Sequence, residues 1–128
     1  MVEKFTDVVN SAGVGRKSAI RALQAWQYLI AKATNRQIVK YDELKDLMGY
    51  PTNNPLSHIL GCIMRFCDQN GLPALTIIVV NKTGVPGHGF TAEEWEDYHQ
   101  KREDVFNYEW YKIVPPTIEE FEAARSRS

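Results

Sequence analysis

Catalytic signatures are missing from this chain. Its three histidines, His58, His88 and His99, belong to no nucleophile, metal or phosphate-loop motif, and no enzyme activity is expected. The glycine-rich stretch Gly84–Gly89 follows an expected strand turn and does not open onto a helix, as a nucleotide-binding glycine loop must. Only two cysteines occur, too few for a disulfide framework. Cys62 and Cys67 stand five residues apart on one expected helix, so they project about 140° apart and are poorly placed to bridge or to share a metal. His58 lies one turn before Cys62, but two ligands do not make a zinc site. Long apolar runs are also absent. The longest, Ala74 to Val80, falls far short of the roughly 18 residues a membrane helix needs. The segment MVEKFTDVVNSAG lacks the basic start and apolar stretch of a signal peptide. The expectation is a cytoplasmic protein that uses no membrane, metal or cofactor.

What is present suits a single domain. The chain has 128 residues, of which 44% are hydrophobic and 24% charged, enough to bury one core. The net charge of -1 conceals an asymmetry. Residues 1–40 carry seven bases against two acids, and residues 91–128 carry five bases against ten acids. Such runs often serve only as solvated faces. The functional alternative is a basic surface for phosphates and an acidic tail for another partner.

Apolar spacing predicts a helix over about 16–34, with Ile20, Leu23, Trp26, Gln27, Ile30 and Ala33 on one face. Arg16, Lys17 and Arg21 in its first turns oppose the macrodipole, a hint that an anion belongs there. A short helix is expected over 41–48, ended by Gly49, and a third over about 55–70, opened by Pro55 and ended by Gly71. Leu56, Ile59, Leu60, Ile63 and Cys67 form the buried stripe of that third helix. Ala74–Val80 is β-branched and predicts a strand, with Val85–Phe90 returning beside it as an edge. Lys82 then sits at the hairpin tip and His88 on the returning arm. A capping box at Thr91–Glu94 opens another helix. The aromatic run from Phe106 to Ile113 is expected as a strand or an extended packing arm, and Thr117–Glu120 caps a last short helix.

Helix, turn, helix and hairpin in this order describe a winged helix-turn-helix. The expected fold class is α+β: a winged-helix core over 16–90 and an acidic, aromatic-rich C-terminal extension over 91–128, within one domain. Val39–Leu44, Gly49, Leu56–Gly61 and Leu72–Val80 together resemble the winged-helix domain of DNA alkylguanine alkyltransferases and their non-catalytic alkyltransferase-like relatives. The resemblance covers roughly residues 37–90. It implies a shared scaffold and nucleic-acid binding, with Tyr41 matching a residue that contacts the DNA backbone. Thr76 stands where that family has its nucleophilic cysteine, with Ile77 and Ile78 replacing the histidine and arginine beside it. His58 replaces the arginine that displaces a base. Alkyl transfer by that route is therefore not expected.

The function expected is non-catalytic DNA binding. Asn53, Asn54, Ser57 and His58 stand at the N-terminal end of the recognition helix, where base edges are read; turn chemistry and capping also account for them. Tyr41, which also fits a packing role, Arg65, the only base in that helix, and Lys82 are expected to add backbone contacts. Arg16, Lys17 and Arg21 would supply the remaining phosphate contacts. The alternative is a protein-interaction adaptor or inhibitor, of a kind a phage or mobile element could encode, acting through Trp95, Tyr98 and Trp110.

Overall fold

Helix boundaries follow the apolar spacing and the glycine stops. A computed structural model describes residues 13–82 and 92–126, with side chains described for 16–82 and 95–125. Among these residues the chain is mostly helical, with five α-helices and one two-stranded sheet, an α+β arrangement. Helix α1 spans Gly13–Thr34 and strand β1 Val39–Lys40; helix α2 spans Tyr41–Met48 and α3 Asn54–Gln69. A 3-10 turn, Leu75–Ile78, leads into strand β2, Val79–Val80; α4 is Ala92–Asn107, a second 3-10 turn is Trp110–Lys112, and α5 is Ile118–Ser126.

The ends of these helices show why they stop. Gly49 adopts φ 76°, the left-handed conformation that glycine takes without strain, and its N–H reaches the Asp46 carbonyl at 3.1 Å while that of Tyr50 reaches Lys45 at 3.0 Å. Helix α5 is opened by a reciprocal capping box. The Glu120 N–H donates to the Thr117 hydroxyl at 3.1 Å, and the Thr117 N–H donates to the Glu120 carboxylate at 3.2 Å.

Helix α1 runs through the middle and is packed by α3 and α5 along its length. Its buried face is lined by Ala19, Ala22, Ala25 and Ala33 together with Trp26, Leu29 and Ile30. That stripe is rotated from the expected one: Ile20 and Leu23 are half-buried and Gln27 is exposed. The short alanine side chains let neighbouring helices approach closely, so burial follows them rather than the larger residues. Trp26 meets Phe66 of α3, Trp110 and Phe121 of α5 edge-on, with ring centroids 5.6, 5.5 and 5.9 Å away. The C-terminal third thus supplies core residues, and Trp110 and Phe121 are buried as fully as Trp26.

Two expectations are corrected. Ala74–Val80 is mostly a 3-10 turn, and only Val79–Val80 is strand. Leu75 and Ile78, three residues apart, are both fully buried, a spacing that a 3-10 turn brings to one side and a strand would split between faces. The strand pairs in parallel with β1, Val39 opposite Val79 and Lys40 opposite Val80. The aromatic run from Phe106 to Ile113 is neither strand nor extended arm: α4 continues to Asn107, and the second 3-10 turn follows. The Trp110 indole donates to the Val105 carbonyl at 2.8 Å, which folds the run back onto the end of α4. The turn at Thr83–Gly84, the returning arm Val85–Phe90 with His88, and Thr91 of the first capping box lie outside the described residues.

Candidate nucleic-acid interface

The parallel pairing of β1 with β2 brings three elements to one place. Tyr41 opens α2 immediately after β1, and Thr76 lies in the 3-10 turn just before β2. Helix α3 faces them with Ser57, Gly61 and Met64, which share one side at the i, i+4, i+7 spacing. Together with Asn53 and Leu60 they line a groove of about 500 Å³. The polar groups are the Tyr41 phenol, the Asn53 amide and the Ser57 and Thr76 hydroxyls, and the floor between them is apolar. Gly61 keeps that floor low: a methyl group there would meet only the Arg65 guanidinium, at 3.3 Å.

Three of the residues expected to touch nucleic acid, Tyr41, Asn53 and Ser57, therefore converge on this groove. Lys82 stands at its edge, 86% exposed, with its ammonium 3.8 Å from Asp42, whose other carboxylate oxygen accepts from the Asn53 amide at 3.5 Å. Pairs this exposed and long contribute little and exchange readily for another anion. Asn53 makes no side-chain capping bond to α3, and the Ser57 hydroxyl donates to the Asn54 carbonyl at 2.9 Å. Asn54 and His58 are exposed at the same end of α3 but do not line the groove. Arg65 lies further along α3 and lines a second cavity, of about 320 Å³, with Met64, Asp68 and Leu72.

The basic residues of α1 lie elsewhere. Arg16 pairs with Glu119 of α5 at 3.5 Å, and Arg21 lies 5.5 Å over the Tyr50 ring and donates to Gln24 at 3.1 Å. Neither they nor Lys17 line the groove. At the far end of α1, Arg36 is held bidentately by Glu103 of α4, at 2.7 and 2.8 Å. The positive first segment and the negative last one thus meet within the molecule. The side-chain network of Tyr28, Lys32 and Glu43 ties α1 to α2. The Tyr28 hydroxyl donates to the Glu43 carboxylate, and Lys32 approaches the same oxygen at 3.5 Å. That hydrogen bond first, and the Lys32 charge as well, hold the Glu43 carboxyl below its ordinary range, while burial first and then Glu43 push the Tyr28 phenol up.

The aromatics expected to meet a protein partner are distributed differently. Trp110 and Tyr98 are buried, at 2% and 4% exposure, so they pack the fold and are not presented for docking. Trp95 is half-buried, with its ring stacked 5.6 Å from that of His99. Tyr111 and Val114 are exposed instead. Both cysteines are buried free thiols, and burial pushes the Cys67 thiol up to about 11. Among the described residues no three metal-ligating side chains come together, and no helix is long and apolar enough to cross a membrane.

Leu60, Gly61, Met64 and Thr76 complete the groove without having been singled out as contact residues. Helical spacing from Ser57 marks Gly61 and Met64, and the alkyltransferase resemblance marks Thr76 as a site position. Comparison with protein-family models, with curated proteins and with solved structures returns no match.

Proposed function

We propose that this protein binds DNA without catalysis, through the α2–α3 face, as a winged-helix module whose wing continues from β2 through Lys82. The observation that carries this reading is the convergence of Tyr41, Asn53, Ser57 and Thr76, from three separate elements, on one groove at the N-terminal end of α3. Hydroxyl, amide and phenol groups over an apolar floor suit the polar edges and flat faces of bases. Two positions that the alkyltransferase resemblance picks out, Tyr41 and Thr76, lie on the same groove. A hydroxyl at position 76 in place of a thiol is consistent with binding in the absence of transfer.

The test is binding to short duplex and single-stranded DNA across a salt series. Affinity should fall as salt rises, because phosphate neutralisation releases counterions. Lys82→Gln should reduce the slope of log affinity against log salt by roughly 0.7–0.9. Ser57→Ala should weaken binding while leaving the slope unchanged, since its hydroxyl carries no charge. No binding at low salt, or binding indifferent to salt, refutes the proposal. The adaptor alternative rests on fewer residues than expected, since Tyr98 and Trp110 belong to the core.

A further inference from the structure

A cleft of about 540 Å³, distinct from both the groove and the Arg65 cavity, lies between the end of α1 and α4, lined by Lys32, Arg36, Gln37, Arg102, Glu103 and Phe106 among others. Ile38 also lines it, and Ile38 is only three residues before Tyr41 of the groove, so at most about 11 Å of backbone separates the two cavities. That distance is about three nucleotides' rise along a duplex strand. The exposed Lys40 stands between them, and its strand partner Val80 leads on to Lys82.

Two cations along this strip occupy positions where the backbone favours other residues. Lys40 is the N-cap of α2, a place suited to serine, threonine, asparagine or aspartate; it makes no capping bond and sets a positive charge at the positive end of the helix. Arg36 adopts φ 56° just past the end of α1, where glycine or asparagine is favoured. Local propensity accounts for neither side chain, and both belong to the same strip. Residues that break local rules concentrate where function holds them.

The carboxylates along the strip balance only part of this charge. Glu43 pairs with Lys32, Glu103 with Arg36 and Asp42 with Lys82. Among the described residues, neither Lys40 nor Arg102 has a carboxylate within 4.0 Å in an ion pair. Arg102 donates to the His99 ring at 3.2 Å and lies 5.5 Å over Tyr98, and its buried Nε has no hydrogen-bond partner. Five cations against three acids leave the strip net positive, although α4 as a whole is acidic.

We propose that the α1–α4 cleft is a phosphate-binding extension of the α2–α3 groove, so that a nucleic-acid backbone leaving the groove passes Lys40 and ends against Arg102 and Arg36. The proposal rests on the DNA-binding reading and adds a second contact region on an element outside the helix-turn-helix. Lys40, which forms no ion pair, and Arg102, whose charge Glu103 feels without a direct ion pair, supply the charge for phosphate, and the Arg36–Glu103 pair shapes the wall between α1 and α4.

The experiment measures DNA affinity of the full chain across a salt series for wild type, Arg102→Gln, Arg102→Lys, Lys40→Gln and Lys101→Gln. Lys101 is the charge control: it neighbours Arg102 on α4, pairs with Asp97 at 3.0 Å, and does not line the cleft. Arg102→Gln and Lys40→Gln should each lower the salt slope by roughly 0.7–0.9, Arg102→Lys should retain it, and Lys101→Gln should match wild type. Thermal melts identify any variant whose fold is disturbed, and Lys40→Gln, on an exposed side chain, carries the test if Arg102→Gln is one. Binding by wild type that depends on Lys82 and Ser57 but is indifferent to both Arg102 and Lys40 overturns this extension alone. Failure of wild type to bind at low salt overturns the groove reading, and the extension with it.

Discussion

Replacing Phe121 with alanine tests whether the C-terminal third is part of the core or a covering laid over a complete domain. Phe121 is fully buried on α5, with its ring 5.9 Å from Trp26 and 5.1 Å from Phe66. Removing a buried phenylalanine forfeits its transfer energy and leaves a cavity, together about 3–5 kcal/mol. Packing on both α1 and α3 limits how far the site can collapse, which favours the upper part of that range. For a domain of this size the melting temperature should drop on the order of 10–20 °C. Urea unfolding followed by tryptophan fluorescence is the natural assay, because Trp26 sits in the same cluster. Val114→Ala is the reference substitution: that side chain is 87% exposed and its loss should change stability by less than about 0.5 kcal/mol. A Phe121→Ala cost below about 1 kcal/mol would refute the reasoning and make α5 a separable appendage.

Gly61→Ala separates stability from binding. Alanine favours a helix interior over glycine by about 1 kcal/mol, and the new methyl meets only a flexible arginine end, so the fold should gain up to that amount. The raised groove floor should weaken DNA binding; unchanged affinity would remove the groove from the binding surface. The Tyr28–Glu43 contact predicts a pH dependence. Glu43 titrates below its ordinary value in the folded state, so its contribution is complete above that value and fades as pH falls through the folded one. The urea midpoint of Glu43→Gln should therefore trail wild type most at neutral pH and approach it in acid, and a gap that stays constant on acidification contradicts this.

Local features of the sequence anticipated local features of the structure. The bounds of α2, the ends of α3 to within one residue and the capping box of α5 depend on neighbouring residues, which local signals such as glycine, proline and threonine mark. Non-local packing was not visible in the same way. Ala74–Val80 has the composition of a strand, yet burial of Leu75 and Ile78 on one side selects a 3-10 turn. The parallel pairing of Val39 with Val79 joins distant residues that no turn signal connects. The groove was partly legible, since Tyr41, Asn53 and Ser57 carry suitable groups at a helix start. Thr76 reaches it through the sheet and the packing of its 3-10 turn against α3, neither of which a local signal marks. The Arg36–Glu103 pair is similarly remote in sequence, so the charge asymmetry was plain while its internal neutralisation was not.

The seat of α5 between α1 and α3 has a consequence for how the protein is made. Trp26 is synthesised early, and the rings that cover it, Trp110 and Phe121, follow roughly 85–95 residues later, with Phe66 made between them. Until then the growing chain carries an unfinished aromatic face, and closing it requires a long loop whose entropy cost precedes any packing gain. Folding of this domain should thus be nearly all-or-none and wait for the synthesis of α5. A chain halted before residue 118 would be a client for chaperones or proteases, whatever the state of α2 and α3.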